Sequence, residues 1–300
     1  MIKVAGAPVS FGVFELTAGE GIDLAGPDLL CAVLQRQGYV GVDMGPVGFL
    51  GREQELRDRL GRYGLELAGG WVDLPFADTD AFRNSLESLD AALDVFSDAA
   101  EMFPELLPLP TLACSGSPQR QANPGGAPGL SLDPGQWNEY ADNVSIAADR
   151  VRARGLEPTF HHHACTFVET PEEIDELLAR VDIGLTFDTG HLILGGGEPL
   201  NGWRRWGQRV NHVHLKDARV DVLRAVVEGK GGMRDVWTGK AFVPLGAGDL
   251  DMDAFLSLLT GSGYNGWVVI EQDTIPSPGD HPGQIEADHL ANRQALRKWF

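Results

Sequence analysis

The stretch LEPTFHHHACTFVETPEEIDELLARVDIGLTFDTGH, residues 156–191, decides the fold. Two short β-prone runs, Leu156–His161 and Ile183–Phe187, flank a helix predicted over Pro171–Arg180. Thr170 offers an N-cap hydroxyl, Pro171 suits the first helical position, and Glu172 and Glu173 place negative charge in the first turn. Strand, helix and strand at this spacing make a β-α-β unit, whose strands run parallel.

The same alternation extends in both directions. Further strands are predicted at Lys3–Ala7, Gly38–Met44, Leu65–Gly70, Leu107–Ala113, Val210–Leu215 and Gly266–Glu271. Helices are predicted at Pro27–Gln37, Arg52–Tyr63, Asp80–Met102, Pro134–Arg154, Leu200–Gly207, Asp251–Thr260 and Gly283–Trp299. Eight units predict an α/β fold, a single (β/α)8 barrel spanning residues 1–300 as one domain, rather than an open doubly wound sheet. Two stretches interrupt the repeat. Residues 115–129, SGSPQRQANPGGAPG, are too rich in Pro, Gly and Ser for a helix and follow the fourth strand, where a barrel carries a functional loop. Residues 218–248 form a long insertion after the seventh strand, read either as an active-site lid or as a surface elaboration.

Charge narrows the function classes. Forty-three acidic against twenty-four basic residues give −19, a field that argues against a nucleic acid partner. The composition, 43% hydrophobic and 22% charged, is that of a soluble globular protein. No apolar run reaches the roughly 18 residues of a membrane span, and the N-terminus lacks a signal-peptide pattern, so a cytoplasmic location is expected. Three cysteines without a C-x-x-C spacing argue against a disulfide framework.

Six of the eight histidines fall between positions 161 and 214. In a barrel, the C-terminal ends of the strands converge on one site, so what stands there matters. His161, His162 and His163 close the fifth strand, and Asp188 closes the sixth, with His191 three residues on. His212 and His214 stand in the seventh, and Glu271 ends the eighth, followed by Gln272 and Asp273. Period-two alternation puts His212 with His214, and His161 with His163, on common faces, so each pair presents at least one imidazole inward. Two imidazoles and two carboxylates from four consecutive strands suit a divalent ion: Mn2+, Co2+, Zn2+ or Mg2+. Any one such histidine is more often a core hydrogen-bonder. Four ligating residues at the same relative position are harder to attribute to packing, because buried charge is costly unless paired or metal-bound.

Glu15 and Asp43 are further candidate carboxylates, against the commoner reading as solvated acids. Lys216-Asp217 reads either as an internal ion pair or as a substrate-binding lysine beside an acid. Trp71, Phe11 and Phe14 are candidate apolar walls, and Trp71, His191, Lys216 and Arg219 are the candidate substrate contacts. Gly195-Gly196-Gly197 is a weak phosphate cradle, more often a simple turn. No G-x-G-x-x-G after a strand, no P-loop and no nucleophile elbow are present.

At these residues the sequence resembles the xylose-isomerase-like TIM barrels, sugar phosphate isomerases and epimerases among them, and within these the inosose dehydratases. The resemblance runs through APVSFGVFE (7–15), GYVGVDMGPVGFL (38–50), EPTFHHHACTFVETPEEID (157–175), GLTFDTGHLILGGG (184–197), RVNHVHLKD (209–217), VPLGAGDLD (243–251) and GYNGWVVIEQD (263–273). It implies a metal at the barrel mouth held by Asp188, His214 and Glu271, with His191 contacting substrate. Sugar epimerases of the family carry a glutamate at the strand-five position; here His161 occupies it, as in the dehydratase-like members, and His163 remains the alternative ligand. The resemblance thus implies a lyase using Mn2+ or Co2+ first, Zn2+ or Mg2+ otherwise. Its small-molecule substrate would be a keto-polyol such as 2-keto-myo-inositol, with Glu271 or His163 as base and His191 as acid. The alternatives are a keto-sugar isomerase or epimerase and a non-catalytic ligand-binding barrel. A homo-oligomer is compatible with the sequence.

Overall fold

Each apolar run becomes a strand, generally shorter than its predicted span, in the computed structural model, which describes residues 1–14, 17, 24–127, 129–276 and 282–300. The barrel strands are β1 (Lys3–Gly6), β2 (Gly41–Asp43), β3 (Glu66–Asp73), β4 (Leu109–Ala113), β5 (Thr159–His161), β6 (Gly184–Asp188), β7 (Val210–Leu215) and β8 (Trp267–Ile270). All pair in parallel and close in the order β1-β8-β7-β6-β5-β4-β3-β2. The (β/α)8 barrel expected from the alternation is therefore the fold. No helix among the described residues is long and apolar enough to cross a membrane.

Local chemistry sets the helix boundaries. Thr170 and Glu173 form a reciprocal capping box ahead of helix Pro171–Arg180, and Asp133 and Gln136 do the same for Pro134–Ala153. Gly38 and Gly64, at φ 83° and 61°, end the helices Pro27–Gln37 and Glu53–Tyr63 in the left-handed conformation that lacks a Cβ penalty. Period two then sorts the core. On β8, Val268 and Ile270 join the layer between barrel and helices, whereas Trp267 and Val269 pack with Ala5, Ala68 and Leu109 in a separate interior cluster.

Three stretches differ from expectation. The helix predicted over Asp80–Met102 breaks into Thr79–Asn84 and Leu86–Met102 at Ser85, whose hydroxyl donates to the Phe82 carbonyl at 2.8 Å and competes with the helical pattern. Residues 115–129 contain one helical turn, Pro118–Gln121, despite their composition: Ser117 accepts the Arg120 N–H, and Pro118 is pre-set at the first position. The insertion is largely regular, with helices Val220–Glu228 and Met233–Thr238 and an antiparallel ribbon pairing Asp217–Ala218 with Phe242–Val243.

A buried ion cluster fixes the loop after β4. Arg120, fully buried, pairs with Glu173 and reaches Glu169 at 3.4 Å, both in or just before helix Pro171–Arg180. Its Nε donates to the Leu130 carbonyl at 3.2 Å, and Glu173 also accepts from Ser131 at 2.9 Å. Arg120→Met would leave two carboxylates buried without their cation, a change expected to cost about 3–5 kcal/mol in urea unfolding. A loss under about 1 kcal/mol, the size of an exposed pair, would show that another contact holds this loop.

Candidate active site

Strand alternation decides which side chains reach the barrel interior. Phe160, Phe187, Val213 and Leu215 face the outer core, so His161, Asp188, His212 and His214 point inward. Register levels their ends: Asp188 lies opposite His214, and His214 opposite Val269, two residues before Glu271. Above them opens a cavity of about 330 Å³, whose lining includes His161, His163, His214, Lys216, Glu271 and Asp273.

Asp188 is the hub. Its Oδ2 lies 3.3 Å from His161 Nε2, 3.7 Å from His214 Nδ1 and 3.2 Å from Lys216 Nζ. Its Oδ1 accepts the His191 N–H at 2.8 Å, capping a helix, Thr189–Leu194, that begins at the strand end. Glu271 Oε2 lies 2.8 Å from His214 Nδ1 and 3.0 Å from Lys216 Nζ, which also meets Asp273 at 2.9 Å. Three carboxylates thus share one ammonium, leaving a net −2 in a buried pocket.

Burial and the surrounding charges together shift the titration of several groups in the site. Burial opposes charge on Lys216, but Asp188, Asp273 and Glu271 raise its pKa. Burial disfavours a charged Glu271 as well, yet His214 and Lys216 hold it down to about 2. His214, despite burial, is raised to about 10 by Glu271 and Asp188. Desolvation lowers His161, with His214 adding to the effect, and lowers His191, with His163 adding to it. Burial and the charge of Glu271 push Asp43 up to about 7.

The residues suit a divalent ion. Nε2 of His161, Oδ2 of Asp188, Nδ1 of His214 and Oε2 of Glu271 are linked by separations of 2.8–3.7 Å. Ligands about 2.1 Å from one ion are spaced on the order of 3 Å apart, so His161, Asp188 and His214, whose ligating atoms lie within 4.8 Å of one another, suit an ion in distance as in donor chemistry, with Glu271 joined to them through His214. With His214 neutral, as a ligand must be, the charge left to balance among Asp188, Glu271, Asp273 and Lys216 is +2. Two further groups bring ligating atoms within 4.8 Å of one another: Asp43 with His212 and His214, and His163 with His191 and Asp273. Both ring nitrogens of His212 are buried and have no hydrogen-bond partner among the described residues; its ring fits because position 69 is glycine, where a Cβ would lie 2.9 Å from Nε2.

Partners assign the histidine tautomers. His163 Nδ1 lies 2.8 Å from the Ala164 carbonyl, which only accepts, so Nδ1 carries the proton and Nε2 keeps a lone pair. His191 Nδ1 accepts the Ala164 N–H at 3.4 Å, and its Nε2 stands between an acceptor, Asp273 Oδ2 at 3.1 Å, and a donor, the Lys216 ammonium at 3.0 Å. The His163 and His191 rings lie tilted by 37° with centroids 3.5 Å apart.

Other predicted residues divide. Trp71 lines the cavity with its ring edge-on to His161 and His163, at 5.3 and 5.1 Å. Phe14 and Asp43 also line it, whereas Phe11 stacks on His289. Glu15 lies outside the described residues. Lys216 and Asp217 do not pair with each other: Lys216 points into the site, and Asp217 accepts the N–H groups of Ala218, Gly246, Gly248 and Leu250 at 2.9–3.0 Å. Arg219 pairs with Asp221 at the start of helix Val220–Glu228 and is not among the cavity-lining residues. The three glycines 195–197 turn the chain beneath Glu169 and against Leu192. Sequence reasoning missed Asp73, Ser115, Gln121 and Trp237 on the cavity wall. Ser115 and Gln121 lie in the loop expected to be functional, and Trp237 lies in the insertion read either as a lid or as a surface elaboration.

Behind the site, His162 accepts the Asp188 N–H at 3.3 Å, and burial lowers its pKa to about 4. In the unfolded chain it titrates near 6.5. Between these values the unfolded state holds more protons, so this group's contribution to stability falls as pH drops from 6.5 towards 4. His162→Gln is expected to lose less melting temperature than wild type between pH 7 and 5, measured on chelated protein; parallel losses would reject the assignment.

The family model described as xylose isomerase-like TIM barrel matches residues 31–298. The rhizopine catabolism protein MocC of Rhizobium meliloti is 33% identical over 261 residues, 83% of this chain and 75% of its own. Inosose dehydratase of Geobacillus kaustophilus (strain HTA426) is 31% identical over 262 residues, 85% of this chain and 82% of its own. Among solved structures, D-psicose 3-epimerase with D-tagatose from Clostridium cellulolyticum H10 superposes with a TM-score of 0.71 at 15% identity, covering 99% of each chain. IOLI protein with a bound zinc atom gives 0.67 at 14% identity, again over 99% of each chain. With the family match spanning most of its length, the chain belongs to the xylose isomerase-like TIM barrel family.

Proposed function

We propose that the protein is a divalent-metal-dependent hydro-lyase that removes water from a cyclic keto-polyol, with 2-keto-myo-inositol as the leading candidate. The observation that carries the reading is the net −2 cluster of Asp188, Glu271, Asp273 and Lys216, the last three of which line the cavity together with His161, His163 and His214. The inosose dehydratase relative supports the substrate class, and the fold neighbour with a zinc atom supports a bound metal.

His161, Asp188, His214 and Glu271 would hold the ion, which when bound supplies Lewis-acid polarisation of the substrate carbonyl. Glu271 has two claims on it, as ligand and as base. Held down to about 2 by His214 and Lys216, it is a weak proton acceptor, which favours the half-buried His163 as base. The Nε2 lone pair of His163 takes the proton α to the ketone. The C–O bond to the β-hydroxyl then breaks, and the departing oxygen takes a proton from His191, which the proton captured by His163 makes good, so one water leaves, both imidazoles end neutral and a carbon–carbon double bond remains. Asp273 at 3.1 Å and Lys216 at 3.0 Å flank His191 Nε2. The ring centroids of His163 and His191 lie 3.5 Å apart, so the captured proton has a short way to travel.

Chelation followed by restoration with Mn2+ or Co2+ is expected to abolish and then recover formation of the dehydrated diketone from 2-keto-myo-inositol. Activity that survives Asp188→Ala with full chelation would reject the metal-dependent reading. Solvent deuterium exchange into substrate without loss of water would select an isomerase or epimerase instead. A metal-induced rise in melting temperature with no turnover of any inosose or ketose would select a non-catalytic barrel. His163→Ala is expected to lower kcat by about 10²–10⁴, the usual share of one general base, with metal content unchanged. A loss of metal in that variant would make His163, rather than His161, the strand-five ligand.

A further inference from the structure

Deeper in the barrel than Asp188, a second group of ligating side chains converges from two further directions. His212 precedes His214 by two residues on the inward face of β7, and their ring centroids lie 5.1 Å apart. In the closed order β7 stands across the barrel from β3, and the His212 ring spans the interior to Gly69 there: a Cβ at position 69 would lie 2.9 Å from Nε2 and 3.1 Å from Cε1. Gly69 pairs in register with Asp43 of β2. That register brings the Asp43 carboxylate to where the imidazole reaches, and ligating atoms of Asp43, His212 and His214 lie within 4.8 Å of one another.

Polar atoms are left over in this group. Oδ2 of Asp43, both ring nitrogens of His212 and Nε2 of His214 are buried and have no hydrogen-bond partner among the described residues. His214 Nδ1 lies 3.7 Å from Asp188 Oδ2 and 2.8 Å from Glu271 Oε2, so Nε2 is the nitrogen that residue has to spare. Unpaired polar atoms are costly to bury, and a hydrogen bond between two members of the group would satisfy only those two. A cation takes one lone pair from each of the three residues at once. Two imidazoles and one carboxylate suit Zn2+ or Co2+ better than Mg2+, which prefers oxygen donors. An ion held at about 2.1 Å needs no water-sized void between its ligands, and three protein ligands leave a position open. Asp43 and His214 also line the cavity, which gives such an ion a way in.

We propose that Asp43, His212 and His214 form a second divalent-cation site, distinct from the one assigned to His161, Asp188, His214 and Glu271, with His214 shared through its two nitrogens. The first site belongs to the hydro-lyase reading; the second stands on its own three ligands. When both are filled, the His214 ring has released its N–H proton to solvent and bridges the ions as an imidazolate, so the two ions bind with unequal strength.

Full-length protein stripped with chelator and titrated with Co2+ is expected to saturate at two ions per chain, by visible absorption and by elemental analysis after gel filtration, with dissociation constants at least about tenfold apart. Asp43→Asn and His212→Gln are each expected to hold one ion. Asp188→Ala is expected to lose the other. Circular dichroism and melting of each variant separate loss of an ion from loss of the fold, and the wild-type count decides where a variant does not fold. Saturation of the wild type at one ion that Asp188→Ala loses would overturn the second site and leave the hydro-lyase reading standing. One ion that His212→Gln loses and Asp188→Ala keeps would support the second site and count against that reading. An ion count unchanged in both Asp43→Asn and His212→Gln, or no Co2+ bound by the wild type, would overturn the proposal.

Discussion

A carboxylate with no exposed surface, Asp188 at the end of β6, is the constraint around which the site is arranged. An uncompensated charge at that depth would cost several kcal/mol, so the neighbouring strands must supply partners. They do so from both sides: His161 from β5, His214 at the end of β7, Lys216 just beyond it, and the N–H of His191 from the helix that Asp188 itself caps. Parallel register sets Asp188 opposite His214 and His161 opposite Thr186, two residues before Asp188 on the same face. A shift of one residue in either neighbouring strand would turn its inward residues outward and leave Asp188 buried without them.

The compensation is incomplete by design of the residue set. Lys216 balances one of the three carboxylates it touches, and His214 takes up a proton to offset part of the remainder. A proton on His214 and a cation coordinated by its Nδ1 are mutually exclusive, because both need the same lone pair. On the proposed reading an ion would displace that proton, which would tie metal occupancy to pH through an imidazole that binding would force to be neutral.

Much of this was legible in the sequence because it depends on periodicity. Strand alternation and the eight-unit repeat placed His161, Asp188, His214 and Glu271 at the barrel mouth, and the Thr170-Pro171 start signal held to the residue. What escaped is non-local. Asp188 reads as a strand end, yet it also caps helix Thr189–Leu194, a signal available in D-T-G-H but overshadowed by the glycines that follow. The tautomer of His163 depends on the carbonyl of Ala164, which no pattern announces. Arg219 was grouped with Lys216 by proximity in sequence, but the chain turns into the insertion between them and Asp221 takes its guanidinium. Trp237 sits in a segment with no barrel counterpart, and only its packing towards Phe14 brings it to the cavity.

The anchor of that insertion asks little of sequence. Asp217 grips the returning chain through the amides of residues 246, 248 and 250, groups that every non-proline residue possesses; its side-chain demands are for glycine at 246, where φ is +88°, and for a small residue at 248, where a Cβ would collide with its carboxylate. The intervening segment can therefore change in length and content while Lys216, one residue before the anchor, keeps its place in the site. The architecture separates a part free to diversify from a part that must not move, with the boundary at the peptide bond between residues 216 and 217.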